Sequence, residues 1–572
     1  MRLNFELDDR IRLRVSKRDF EKNEKGYCTM KKYLCWSMVL VLLLALSAGC
    51  SNGNNANDNE TAPNESAVNN QEEALPENFH AEGFPIVDNP VTLKLMGMKY
   101  PIQGAWEDLQ FFNVLSEKTN IKFEFDTPAS QNYAEKKNLA FATNSLPDIF
   151  FGGSLTPMDE VEYGNQGVLV PLEGLIEKYA PNIQKLFEEM PDVKKTITAP
   201  DGHIYALPKI STIPRGLALK AWINQSWLEK LNMTDIPADT EAFYELLKQF
   251  KEGDPNGNGE ADEIPFSVQN PSMLTTIILP AFGLVEDGNK IGVFNDKAEY
   301  VPLDPKYKDY LTYVRRLYEE KLLDNEIFSH TQQQYTAKGK ENKTGVFVAA
   351  GPFIHVDITP LESVGYPYLP PMTSPVNDHK IYPVSTGIAR GAFAITKENK
   401  NPEASIRLAD YLYSEEGAKL VMMGESWEWN ADKTSWSFVS PIDNREEYRG
   451  GKITPDAGGT ILPYWTWSKE AMAFAAKENN PQGNYFNQVT NDAYLPYGVT
   501  PFPMTYFSEE EQARLNVLLT DLNTYVDQMN AKFITGNIGM DQWDEFTSTL
   551  KKMGAEEVQQ IHQVAYDRWN QG

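Results

Sequence analysis

Cysteine is almost absent from this chain: 572 residues carry three, Cys28, Cys35 and Cys50. Beyond residue 50 no thiol remains for a disulfide, a thiolate metal site or a nucleophile. Histidine is scarce too. The six (His80, His203, His330, His355, His379, His562) are scattered without ligand spacing, which argues against zinc. Positive charge is in deficit, with 53 Lys and Arg against 80 Asp and Glu and a formal net charge of −27. No basic stripe is offered to phosphates, which argues against a nucleic-acid partner. No apolar run long enough to span a bilayer follows Cys50. Gly-x-Ser-x-Gly, His-Glu-x-x-His and the phosphate-binding Gly-x-x-x-x-Gly-Lys-Ser/Thr are all missing. The acidic residues still leave a carboxylate pair of the kind used in glycoside hydrolysis open.

What is present starts at the N-terminus. Met30-Lys31-Lys32 is followed by an apolar run over 33–45, then by Leu46-Ser47-Ala48-Gly49-Cys50. Two lysines, a short apolar stretch and small residues before a cysteine resemble a bacterial lipoprotein signal with its lipobox. The resemblance implies cleavage before Cys50 and lipidation of its sulfur, with palmitate among the chains. It departs from the pattern at Ser47, where a branched residue is usual. Residues 1–29 carry mixed charge (Arg10, Arg12, Arg14, Lys17, Arg18) and read as an extension upstream of a start at Met30. Residues 50–90, rich in Asn, Glu, Ala and Pro, read as a flexible tether.

The remaining body is too long for one hydrophobic core and suggests two or more lobes. Alternation over 91–98 (Val91-Thr92-Leu93-Lys94-Leu95-Met96) predicts a first strand. A helix over 106–119, a strand over 121–125, a helix over 132–143 and a buried strand over 148–151 follow. Alternating strands and helices predict an α/β domain with a parallel sheet. Further helices are expected over 172–187 (with Pro181 inside), 238–250, 305–323, 402–412, 415–423, 509–530 and 540–568.

Several segments then carry a family resemblance. Leu146-Pro147-Asp148-Ile149-Phe150-Phe151-Gly152-Gly153 looks like a strand with its ligand-side loop. Asp201-Gly202-His203-Ile204-Tyr205-Ala206-Leu207-Pro208 and Trp222-Ile223-Asn224-Gln225-Ser226-Trp227-Leu228-Glu229-Lys230-Leu231 also match, as do 397–404, 413–417 and 543–568. In this order they resemble the extracellular solute-binding proteins of ABC importers, the group that includes alginate-oligosaccharide binders. Asn224 and Ser226 replace the group's usual Arg and Asp. The resemblance implies an α/β fold of two lobes, periplasmic-binding-protein-like type II, with hinge strands and a ligand cleft. It implies no catalysis: an oligosaccharide is captured and passed to a permease. A polysaccharide-acting enzyme and a carbohydrate sensor on the same fold are the alternatives. The expected lobes are 91–208 plus 370–396, and 209–369 plus 397–572. The expected setting is the outer face of a Gram-positive cell membrane, as a lipid-anchored monomer.

The sharpest local motif is Asp254-Pro255-Asn256-Gly257-Asn258-Gly259-Glu260-Ala261-Asp262-Glu263. Side-chain oxygens fall at loop positions one, three, five and nine, with glycine at six, as in an EF-hand loop. Asp254, Asn256, Asn258, Asp262, Glu263 and the Glu260 carbonyl are the candidate ligands of a structural Ca2+. The terminal acid comes at ten, as Glu263, not at twelve. Aromatic residues are the other resource, with 11 Trp and 27 Tyr. Sugar C–H faces stack on such rings. Trp222, Trp427, Trp465 and Trp467 are the candidates on one lobe, with Tyr100 and Gly152 opposite. Arg390 and Arg215 are candidates for a ligand carboxylate.

Overall fold

In the computed structural model the chain divides into units Met1–Glu73 and Ala74–Gly572. Residues 75–101, 103–211, 213–424, 427–429, 436–438, 449–455 and 481–571 are described. The signal, Cys50 and the upstream extension therefore lie outside the described residues.

The strands in chain order are β1 (Val91–Met96), β2 (Ile121–Asp126), β3 (Ile149–Phe151), β4 (Leu207–Ile210), β5 (Ala221–Ile223) and β6 (Ile264–Ser267). After them come β7 (Ile291–Phe294), β8 (Lys297–Tyr300), β9 (Thr344–Val348), β10 (Tyr368–Leu369), β11 (Tyr382–Pro383) and β12 (Ile388–Ile395). The last are β13 (Trp427–Trp429), β14 (Trp436–Phe438) and β15 (Gly498–Val499).

The first lobe is built on a five-stranded sheet, ordered β2-β1-β3-β12-β4. β1 runs parallel to β2 and β3, and β12 runs antiparallel to β3 and β4. Parallel neighbours need crossovers, and the helices Gln110–Thr119 and Tyr133–Ala142 supply them. The pleat of β1 puts Leu93 and Leu95 in the core and Thr92 and Lys94 in solvent. The three residues of β3, central in the sheet, are all buried. The second lobe is built on a four-stranded sheet, ordered β10-β5-β9-β6. Its main core takes in the helices Thr240–Glu252, Pro305–Glu319, Glu509–Ile534 and Trp543–Lys552.

Some boundaries differ from the sequence reading. The expected tether ends too late: Phe79, Ile86 and Val87 already pack with Leu93 and Ile121 in the first core. Residues 397–423, assigned by sequence to the second lobe, pack on the five-stranded sheet instead. Ile406, Leu408 and Leu412 share that core, and the Asp410 carboxylate accepts the Asn182 and Ile183 backbone N–H at 2.8 and 3.0 Å. β10 pairs with β5 in the second lobe as expected, but the boundary at 370 comes too early: Met372 and Tyr382, assigned by sequence to the first lobe, pack in the second core. The single helix expected over 172–187 is two, Glu173–Tyr179 and Pro181–Glu189. Pro181 has no N–H to give the preceding turn and starts the second helix at its first position. The last helix breaks at Gly554, whose φ is +100°.

Among the described residues, three segments lie together where the lobes meet. The 211–220 stretch runs from β4 into β5, the 384–387 stretch from β11 into β12, and β15 lies parallel to β11. They bond to one another: Ser211 N–H to Gly387 O and Ser385 N–H to Leu217 O, both at 2.8 Å, and Val384 N–H to Val499 O at 3.0 Å. Gly387 has φ +73°, and a Cβ there would sit 2.0 Å from Ser211 O, so the crossing requires glycine.

Candidate functional site

In the first lobe the connection from β1 goes to β2 on one side, and β3 lies on the other. In open α/β sheets such a switch leaves a crevice outside the carboxyl ends of the strands, where ligands bind. The loops there are 97–101 and 152–155. β12 leaves the crossing at Ile388 and pairs antiparallel with β3, so these carboxyl ends face the hinge. In the second lobe Val348, at the end of β9, pairs with Ala221, where the chain has just crossed over. The loop 349–353 therefore borders the same hinge from the other side. Asn487 joins it, its Oδ1 accepting the Arg215 N–H at 3.0 Å.

The first-lobe crevice is closely built. Gly97 fits because a Cβ would meet Phe151 O at 2.2 Å and the Trp106 ring at 2.4 Å. The Gln103 side-chain oxygen accepts the Tyr100 N–H at 3.0 Å, and Ser130 N–H donates to Lys99 O at 2.8 Å, fixing the loop that carries Tyr100. Gly152 has φ +64° and donates its N–H to Ala392 O at 2.7 Å, while Tyr133 OH donates to Gly153 O at 2.8 Å. Ser154 beside them is exposed and held at φ +44°, a left-handed conformation that costs a serine of order 1–3 kcal/mol. Tyr100 and Gly152, candidates from the sequence, lie on these loops, beside Ser154 and Gln103, which the sequence reading did not name. The Gly-Gly pair before Ser154 was the available signal for a strained turn.

The other candidates fall differently. Trp222 is fully buried, its indole N–H donates to Ala349 O at 2.9 Å, and its ring packs against Phe486 and Tyr366. It holds up the 349–353 loop and presents no face for a sugar. Trp427 starts β13, which pairs with β14, and its side chain is outside the described residues, as are Trp465 and Trp467. Arg390, expected to meet a ligand carboxylate, is buried in the hinge. Its guanidinium lies 3.4 Å over the Tyr506 ring and its Nη1 donates to Thr505 O at 3.2 Å. Tyr506 OH donates to Glu160. Burial pushes the Glu160 carboxyl up to about 7, against the opposing pull of Arg390 and of the Tyr506 hydrogen bond. Arg215 is exposed on the crossing segment, above the buried Lys220, whose ammonium donates to Arg215 O and Ala218 O at 2.9 Å. Burial, with Arg215 nearby, lowers that lysine to about 8.

The acidic loop folds as its glycines demand: Gly257 and Gly259 have φ of +72° and +75°. Its side chains close on Asp262, whose Oδ2 also lies 3.4 Å from the Lys343 ammonium. Asp262 Oδ1 accepts from the amides of Asn256 and Asn258 at 2.9 and 3.0 Å, and Asn258 Oδ1 accepts the Glu260 N–H at 2.7 Å. Glu263 Oε1 is buried without a partner, and burial together with Asp262 and Asp254 pushes its carboxyl up. An orphaned carboxylate oxygen beside two other acids and two side-chain amides fits a hard cation with oxygen ligands. Among the described residues no cluster of three His, Cys, Asp or Glu side chains forms a metal site by those residue types alone.

The family profile described as bacterial extracellular solute-binding protein matches residues 97–419. The chain belongs to that family. It is 29% identical over 519 residues to the fructooligosaccharide ABC transporter substrate-binding protein FusA of Streptococcus pneumoniae serotype 4 (strain ATCC BAA-334 / TIGR4), covering 85% of this chain and 92% of FusA. An S. pneumoniae FusA EF-hand mutant in complex with fructo-nystose superimposes with a TM-score of 0.69 at 27% identity, over 84% of this chain and 99% of that one. The alginate-binding protein AlgQ2, solved without calcium ion, gives a TM-score of 0.64 at 25% identity, over 85% and 100%. Family membership agrees with the two-lobed α/β fold. Among the described residues no helix is long and apolar enough to cross a membrane.

Proposed function

We propose that the protein captures an oligosaccharide between its lobes and delivers it to the permease of an ABC importer, with no covalent chemistry of its own. The carrying observation is that loops 97–101 and 152–155 of one lobe and 349–353 of the other border the same three crossing segments. A ligand there touches both lobes and favours the closed state by the difference in its affinity for closed and open forms. The likeness to FusA and AlgQ2 supports a sugar as that ligand. In this reading Tyr100, Gly152 and Ser154 contact the sugar from the first lobe. Trp427, Trp465 and Trp467 supply stacking faces from the segment between 424 and 481. Lipidated Cys50 holds the monomer at the outer face of a Gram-positive membrane. Asp254, Asn256, Asn258, Asp262, Glu263 and the Glu260 carbonyl would hold a Ca2+, which pins the loop between the helix Thr240–Glu252 and β6.

A thermal-shift screen tests this reading, with neutral fructo-oligosaccharides and uronic-acid oligosaccharides as ligands. A ligand of the folded state alone raises Tm by mass action, about 2.7 kcal/mol at a hundredfold excess over Kd. The expected result is a rise with one sugar class and recovery of that sugar intact. Cleavage of the sugar would assign an enzyme instead, and no rise with any sugar would remove the carbohydrate.

A further inference from the structure

A cavity of about 510 Å3 lies apart from the crevice. One wall is the helices Pro181–Glu189 and Pro191–Ile197. The other is the 505–506 segment and the end of the helix Ala555–Gln571. None of the loops at the carboxyl ends of β1 and β3 lines it. Its charged lining groups are Lys194, Lys195 and Arg568, with no carboxylate among the lining residues. In a chain of net charge −27 this is a local field of inverted sign.

The cations are not equivalent. Arg568 is held from behind: its Nη2 donates to Glu511 Oε2 at 2.6 Å and to Tyr506 O at 3.2 Å. Lys194 and Lys195 have no carboxylate partner among the described residues. The Lys195 ammonium stands 5.8 Å from the centre of the Trp569 ring, and Tyr566 backs that ring at 6.4 Å. The macrodipole of the helix Pro191–Ile197 favours cations in its last turn. It does not call for a cavity there, nor for an indole lining it.

We propose that this cavity is a second binding site, separate from the interlobe crevice, for a sugar acid. A pyranose carboxylate meets Lys194 and Lys195, and the C–H face of its ring lies against Trp569, with Phe187 completing the apolar wall. A neutral sugar leaves both ammonium groups unpaired. A small inorganic anion leaves the indole and Phe187 unused.

Calorimetric titration of the intact chain with sodium glucuronate, glucose and sodium sulfate tests the site. The expected result is binding of glucuronate at least about tenfold tighter than glucose or sulfate. Lys194→Ala plus Lys195→Ala weakens glucuronate about tenfold or more at unchanged Tm, because neither ammonium is needed by the fold, and Trp569→Ala weakens it as well. Three results would each overturn the proposal: no glucuronate binding by the wild type, equal binding of glucose or sulfate, or glucuronate binding unaltered in the double-lysine variant.

Discussion

At the residue scale, single side chains carry the most direct tests. Asp254→Ala with Asp262→Ala removes two acids from the glycine-rich loop. Its Tm in calcium is expected to equal that of the wild type in chelator, and chelator should not lower it further. Melting that is the same in all four conditions would remove calcium from the account. Trp222→Ala deletes a fully buried indole and is expected to cost about 3–5 kcal/mol in denaturant unfolding. A sugar-stacking tryptophan would instead lose affinity at unchanged stability. Glu286 has a buried Oε2 without a partner, and burial pushes its carboxyl from 4.5 up to about 7. Between those values the native state binds more protons than the unfolded chain, so this group's contribution to stability is complete below about 4.5 and is lost as pH rises through 7. Glu286→Gln should therefore gain Tm relative to wild type between pH 5 and pH 8. A difference constant across that range would contradict the assignment. The acidic loop was readable in the sequence because spacing alone specifies it. The burial of Trp222 and Arg390 was not, since a tryptophan serves a core as well as a cleft, and only long-range packing decides.

At the element scale, turn chemistry was legible and partners were not. The strands β1 and β2 follow from alternation, and the Gly152-Gly153 turn from composition. Pro181 was visible, but its effect was misjudged: it starts a helix of its own. The helices Pro402–Leu412 and Glu415–Met423 were expected as helices and found as helices. Their place on the first sheet depends on Asp410 capping a helix 228 residues earlier, which no local pattern encodes. The crossing segments give the element-scale test. Gly387→Ala forces a Cβ to within 2.0 Å of Ser211 O at a φ of +73°. A loss of more than about 1 kcal/mol is expected, because alanine at a left-handed position costs more than the entropy it saves. Denaturant unfolding measures it, and wild-type stability would mean that the crossing strands tolerate a different path.

At the scale of the whole molecule, two sheets with separate cores meet where described segments of the chain hydrogen-bond to one another, and their loops border one crevice. That arrangement gives a ligand leverage over the angle between lobes without any chemistry. Two lobes were foreseen from length and from family likeness. The division between them was not, because the chain crosses back and forth and 397–423 returns to the first sheet. Small-angle X-ray scattering of the protein with and without a saturating concentration of the oligosaccharide that raises its Tm tests capture by closure most directly. The account predicts a smaller radius of gyration with the sugar bound and the sugar recovered unaltered. Saturation with no change in the scattering curve would contradict it.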